Sequence, residues 1–280
     1  MNARDHAIRI VTGDTLASKL EPPPPELAFT DGDAELRIAA PGRPPELRIV
    51  PARRSKSGSL PLRPGRQARV PPLAGMRDPA QRARILHALA NHELQAIELF
   101  AWAVLAYPSA PLPFRRGLVA ILADEQRHMA MYIARLQALG TTFGAHPVTG
   151  HFWNKLDHLT GPLEFACAMG LTFEHANLDF CGDYAAAARA CGDVATAEVL
   201  DQVHADEIRH VHFGWVWLRR FTGDMDPWQA YNAHVRPPLG PARARGARLD
   251  RDARRRAGIE EAFIDALDAI APTRPSGQPR

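Results

Sequence analysis

The pentapeptide Asp124-Glu125-Gln126-Arg127-His128 returns as Asp206-Glu207-Ile208-Arg209-His210, and this repeat constrains the fold more than any other feature of the chain. In each copy a carboxylate and an imidazole stand three residues apart, which on an α-helix puts both on one face, about a turn apart. Each copy is embedded in apolar residues at helical spacing, Leu118, Ile121, Leu122, Met129 and Tyr132 around the first and Val199, Val203, Ile208, Val211 and Trp217 around the second. Charges inside an apolar bundle must be paired or bound to metal. Two such faces brought together could hold two metal ions between them. A single Glu-x-x-His would arise about once by chance in a chain with so many histidines. Two copies with the same flanking Asp and Arg are a much stronger signal.

The rest of the chain reads as a scaffold for the two copies. A first long helix starts near Asp78, a good N-cap, with Pro79 in its first turn, and runs to Tyr107 before Pro108, Pro111 and Pro113 break it. A second runs from about Phe114 until Gly140 stops it. The connection from Thr141 to about Gly161 carries Pro147, Gly150, Phe152 and Trp153. It is longer than a helix–helix turn needs, and an up-down bundle crosses between hairpins at such a place. A third helix begins after Pro162 and runs to about Ala190, where Gly192 ends it. Asp193 caps a fourth that reaches about Phe221. The two hairpins form an internal repeat. Glu93 and Glu98 on helix one align with Glu174 and Asp179 on helix three, and Glu125 on helix two aligns with Glu207 on helix four at an offset one residue longer.

One glutamate from each of two helices plus Glu-x-x-His from each of the other two is the ligand set of ferritin-like di-iron and di-manganese carboxylate proteins, and the chain resembles that superfamily. The fuller Asp-Glu-x-Arg-His form is similar to that of bacterial multicomponent monooxygenases. From roughly Gly13 to Leu218 the chain more closely resembles a bacterial ferritin-like family known only as a domain of unknown function. The words that carry this are Gly13-Asp-Thr-Leu-Ala-Ser-Lys-Leu, His92-Glu-Leu-Gln-Ala-Ile-Glu-Leu, Asp124-Glu-Gln-Arg-His and Leu171-Thr-Phe-Glu-His-Ala-Asn-Leu-Asp. The chain is distantly similar to the di-iron tRNA hydroxylases. The resemblance implies an all-α, ferritin-like four-helix bundle of two hairpins joined by a long crossover. It implies Glu93, Glu125, His128, Glu174, Glu207 and His210 as metal ligands, with Glu125 and Glu207 bridging two iron ions, Fe/Fe before Mn/Fe or Mn/Mn. Asp124 and Asp206 would then accept from the opposite histidines, and Arg127 and Arg209 would hold those aspartates in charge-assisted hydrogen bonds.

Helix one offers Glu98 as well as Glu93, and helix three Asp179 as well as Glu174. Residues five apart lie on different faces, so both of a pair do not point inward equally. Across an antiparallel hairpin, equal distance from the turn means equal height. Glu93 precedes Tyr107 by the same number of positions as Glu125 follows Pro111. Glu98 sits about a turn and a half closer to the loop. This favours Glu93 and Glu174, with Glu98 and Asp179 supporting the ligands from behind or facing substrate.

Outside the bundle, assigned to residues 78–222, residues 1–77 read as an extended Pro/Arg-rich arm and 223–280 as a C-terminal extension with one packing helix. Within the arm, Thr12 to Leu20 suits a short helix or turn, Pro22 to Pro25 an extended segment, and Leu47 to Val50 a short strand with no obvious partner. Beyond Gly223 the chain reads as irregular and basic, with Arg243, Arg245, Arg248 and Arg254 to Arg256 solvated. Ile259, Phe263, Leu267 and Ile270 share one face of a last helix. His92, His175, His204 and His212 read as hydrogen-bonded histidines before extra ligands, and Tyr132 and Tyr184 as packing residues before redox-active phenols.

Cys167, Cys181 and Cys191 form no CxxC pattern, which speaks against a disulfide framework or a thiolate zinc site. Met1 to Ile10 has no apolar signal core and no apolar run reaches membrane length, so a cytoplasmic chain without a membrane partner is expected. Hard carboxylates with imidazoles suit iron or manganese. The leading expectation is an oxidoreductase that uses such a site, O2 and an electron donor to oxidise or hydroxylate an organic substrate, a small molecule or an RNA. Two alternatives stand beside it. One is a non-enzymatic role in metal storage, metal sensing or peroxide protection. The other is an RNA-associated protein gripping its partner through the basic arm and tail, although a net charge of +3 is mild. Neither the substrate nor the oligomeric state has a signature in the sequence.

Overall fold

The computed structural model describes residues 1–30, 32, 34–50 and 68–272. The described residues are all-α apart from two strands of two residues each. None of their helices is long and apolar enough to cross a membrane. The chain divides into two units, residues 1–71 with 77–157 and residues 72–76 with 158–280. Each holds one hairpin.

The first unit contains α1 (Ala3–Thr12), α2 (Leu16–Lys19), β1 (Ile49–Val50), α3 (Pro79–Ala106), α4 (Leu112–Ala138) and β2 (Val148–Thr149). The Asp78 side chain accepts from the Gln81 N–H at 2.8 Å and opens α3, with Pro79 pre-set for the first turn. Tyr107, forced out of the helical region by the following Pro108, closes it at φ −126° and ψ 58°. Against α3 packs α1, a helix over residues that carry no helical expectation in the sequence reading. Asn2 caps α1 by accepting from the Asp5 N–H, and Ala7, Ile10 and Val11 are buried. So short a helix is marginal alone, and this one depends on its tertiary contact. The short strand does have a partner. Ile49 and Val50 pair in parallel with Val148 and Thr149, which lie in the long connection between the hairpins.

The second unit contains α5 (Pro162–Phe165), a π-helical run (Ala166–Phe173), α6 (Glu174–Ala190), α7 (Val194–Thr222), α8 (Pro227–His234), α9 (Arg251–Arg256) and α10 (Glu261–Asp268). At the end of α6 the chain turns through Gly192 at φ +82°, a conformation that favours glycine, and Asp193 then caps α7 by accepting from the Thr196 N–H at 3.0 Å. The third predicted helix is therefore three elements in one. Its wide π turns bring the Thr172 hydroxyl to the Cys167 carbonyl at 2.9 Å and to the Tyr231 hydroxyl at 2.7 Å. They also carry Gly170 against α7, where an added Cβ would lie 2.8 Å from the Gly214 Cα. Between Pro227 and Asp268 the chain carries α8, α9 and α10 where an irregular segment with one helix is expected. Phe263 of α10 sets the reason: its ring meets those of Trp228 at 5.2 Å, Trp215 at 5.3 Å and Tyr231 at 5.6 Å. Ile259, Ile264 and Leu267 are buried beside it. Burial of each such side chain stabilises by about 1.5–3 kcal/mol.

Candidate metal-binding groups

In the first unit Glu93 projects from α3, and Glu125 and His128 project from α4. One ligand atom from each lies within 4.8 Å of the others. His128 Nδ1 is 3.5 Å from Glu125 Oε2 and 3.7 Å from Glu93 Oε2. All three side chains are buried. Burial, and then the Glu125 carboxylate beside it, push the Glu93 carboxyl well above the usual carboxylate range, while His128 pulls it back.

The second unit repeats the set. Glu174 opens α6, Glu207 and His210 lie on α7, and their ligand atoms again fall within 4.8 Å of one another. His210 Nδ1 is 3.1 Å from Glu207 Oε2. Here a fourth side chain takes part: Asn177 Nδ2 donates to Glu174 Oε2 at 3.3 Å and to Glu207 Oε1 at 3.2 Å. Asn177 stands in the motif Leu171-Thr-Phe-Glu-His-Ala-Asn-Leu-Asp, where the sequence assigns it no role. Its signal was there, since it follows Glu174 by three residues and so shares its helix face.

The flanking Asp and Arg of each pentapeptide pair along their own helices. Arg127 donates to Asp124, and Arg209 Nη1 lies 2.7 Å from Asp206 Oδ1, which is buried and whose carboxylate also accepts from Gln202. Gln126, the variable letter of the first copy, donates at 2.8 Å to both the Lys19 and the Glu21 carbonyls and so ties down the exit of α2.

Glu98 and Asp179 are in other company. Glu98 Oε2 accepts from Arg43 at 2.6 Å and from Trp153 Nε1 at 2.8 Å, and Glu98 Oε1 faces Lys19 Nζ at 3.3 Å. Lys19 also donates to the Ile10 and Val11 carbonyls, closing the end of α1. Burial pushes the Glu98 carboxyl up and the Lys19 ammonium down, against the attraction between them. Asp179 meets Arg254 through both oxygens, at 2.7 and 3.0 Å, and accepts the backbone N–H groups of Gly246 at 2.7 Å and Asp250 at 2.6 Å.

Arg248, Arg255 and Arg256 are exposed, as a solvated basic segment would have them, but Arg245 and Arg254 are buried. Arg254 is fully buried on Asp179. Arg245 caps α10 through the Leu267, Asp268 and Ile270 carbonyls. Arg251 and Arg255 both pair with Glu261. Acidic residues on α6 and α10 supply the partners that a reading of the basic residues alone omits. Most of the Pro/Arg-rich stretch of the arm, residues 51–67, lies outside the described residues.

The other histidines are placed by packing. His92 stacks on Phe152 at 5.2 Å and is lowered by burial to about 4. His175 Nδ1 lies 3.3 Å from the Leu171 carbonyl, and its ring faces Phe263. His204 meets Asp250 at 3.3 Å, and His212 the Ala257 carbonyl at 2.9 Å. Tyr132 is buried in the first unit, and burial raises Tyr184 above the usual phenol range.

A family model matches residues 19–265, a span that takes in both groups of ligand-type residues, Lys19 and Arg254. The chain belongs to the family described as Protein of unknown function (DUF455). No curated protein and no solved structure matches it. The DUF455 span thus contains the hairpins together with Lys19 and α9, which supply the charges that neutralise Glu98 and Asp179.

Proposed function

We propose that the chain is a metal-dependent oxidoreductase of the ferritin-like type. In this reading the hairpins join as a four-helix bundle and their Glu-Glu-His groups make one carboxylate-bridged centre for two ions, Fe/Fe before Mn/Fe or Mn/Mn. The observation that carries it is the recurrence, once per hairpin, of two buried glutamates and a buried histidine within 4.8 Å of one another. Two carboxylates buried side by side cost free energy through lost hydration and mutual repulsion. A dication between them offsets both. The donors suit it: neither group contains a thiolate, and carboxylate with imidazole fits iron and manganese.

Glu93, Glu125 and His128 would hold one ion and Glu174, Glu207 and His210 the other, with Glu125 and Glu207 shared. Bound as a pair, such ions supply two-electron redox chemistry toward dioxygen. The chain's own part is to keep the ligands dry and fixed. Burial of all six excludes water from them, and the Arg127–Asp124 and Arg209–Asp206 pairs stiffen the helix faces that present them. The substrate would be an organic molecule reached through an electron-donor-coupled reaction. Arg245 and Arg254 are buried on partners within the chain and so are withdrawn from any RNA surface.

Anaerobic reconstitution with Fe2+ or Mn2+, desalting and elemental counting tests this. Two ions per chain are expected, with O2 uptake by the iron-loaded protein. Failure to retain either metal would overturn the reading. Retention without O2 uptake, in a cage-sized native assembly, would replace it with storage.

A further inference from the structure

We infer that Asn177 makes the two metal-binding groups unequal: its amide pre-forms the Glu174, Glu207 and His210 group, which therefore fills first. This rests on the metal-centre reading above and deepens it.

The amide spans the two helices of the second hairpin. One nitrogen carries two hydrogens, and each finds a different carboxylate, Glu174 on α6 at 3.3 Å and Glu207 on α7 at 3.2 Å. Both acids are thereby fixed as acceptors before any cation arrives. Ordering a glutamate side chain costs rotamer entropy, and here part of that ordering belongs to folding rather than to metal binding. The amide takes one acceptor position on each carboxylate, at Glu174 Oε2 and Glu207 Oε1, and leaves the remaining lone pairs for cations alongside His210. A neutral donor also relieves the repulsion between the two acids without occupying the cation's place.

At the position aligned with Asn177 the first hairpin carries no amide. The alignment that sets Glu174 on Glu93 sets Asn177 on Ala96. Ala96 is buried on α3 and its methyl group donates nothing. Glu93 and Glu125 come within 4.8 Å of each other, with no amide at that position to bridge them. The ligand types are the same in both hairpins, and the difference lies in the residue one turn beyond the first glutamate. Asn177 is a positioning residue, acting through the two carboxylates.

Calorimetric titration of the metal-free full chain with Mn2+ tests this, with the Mn2+ paramagnetic resonance signal as a second readout of bound ion. Wild type should bind two ions in resolved steps. Asn177→Ala should weaken the tighter step about 10–100-fold, the usual effect of removing a hydrogen-bond partner of a metal ligand, and leave the weaker step in place. Glu93→Gln, which removes a ligand from the first group, should keep the tight step, and Asn177→Ala in that background should weaken it again. Asn177→Leu, of similar volume and without a donor, replaces Asn177→Ala should far-UV circular dichroism show the smaller variant to be misfolded. If wild type binds no Mn2+, the metal-centre reading itself falls and takes this inference with it. If wild type binds two ions and neither variant alters the tighter step, the reading stands and the role of Asn177 is overturned.

Discussion

The two hairpins carry the same pair of acids, five residues apart, and use the pair in the same way with different helpers. In the first, Glu93 joins Glu125 and His128, while Glu98 takes Lys19, Arg43 and Trp153. In the second, Glu174 joins Glu207 and His210, while Asp179 takes Arg254 and two backbone N–H groups. The inner acid joins the Glu-Glu-His cluster and the outer acid fastens a strap. The straps come from opposite ends of the chain, the N-terminal arm for α3 and the C-terminal segment for α6. The extensions are therefore part of each hairpin's charge balance. A hairpin without its strap would bury an uncompensated carboxylate.

That comparison breaks most directly at the outer acids. Asp179→Ala leaves the Arg254 guanidinium buried without its carboxylate, and Glu98→Ala does the same to Lys19. Each should cost about 3–5 kcal/mol, read as a lower urea midpoint. Hydrogen exchange should separate them: Asp179→Ala releases amides of residues 244–268, and Glu98→Ala those of residues 3–20. An apolar pair, Asp179→Leu with Arg254→Met, should recover much of the loss, because the charges are removed together. Equal exchange profiles for the two single variants would refute the assignment of one strap to each hairpin.

A smaller effect tests the difference in packing. Gly170 and Gly214 touch backbone to backbone in the second hairpin, and the residues aligned with them in the first are Leu89 and Tyr132. Gly214→Ala should cost about 1–3 kcal/mol through overpacking. Its expected signature is a lower melting temperature with the far-UV spectrum retained.

The last effect is one of pH and belongs to the first unit. His87 Nε2 accepts the Gly144 N–H at 2.9 Å, and burial, with His146 nearby, lowers it to about 4. The unfolded chain takes up this proton near the ordinary value of about 6.5, whereas the folded chain resists until about pH 4. Stability is therefore full above about pH 6.5 and falls as the pH drops toward 4. In His87→Gln, which keeps an acceptor and does not titrate, the urea midpoint should fall less over the same interval.

Local punctuation made the long helices legible. Asp78 with Pro79, Pro108, Gly192 and Asp193 act within a few residues of themselves, and the observed limits of α3, α6 and α7 follow them. That Glu93 clusters with Glu125 and His128, and Glu174 with Glu207 and His210, could also be read, because a shared helix face and a repeat offset are properties of spacing. What could not be read was pairing at long range. Arg254 is 75 residues from Asp179 and looks like one more arginine in a basic run. Lys19 is as remote from Glu98 in the chain and sits in a helix of one turn. The parallel pairing of β1 with β2, and the support of α1 by α3, are likewise tertiary. The π-helical run is illegible in the sequence for a different reason. Ala166 to Phe173 is apolar almost throughout, and a continuous apolar stretch gives no period by which a widened turn can be told from a regular one.

The order of manufacture differs between the two straps. A ribosome delivers Lys19 and Arg43 before Glu98, so the cations are already present when their acid emerges. Asp179 emerges long before Arg254, and α6 must wait through 75 further residues for its counter-charge. At elongation rates of about 5–20 residues per second, that wait lasts several seconds. During it the second hairpin is the half of the nascent chain exposed to mispairing and to proteases, and a premature stop between residues 210 and 250 would leave both acids of the ligand group made and their strap missing.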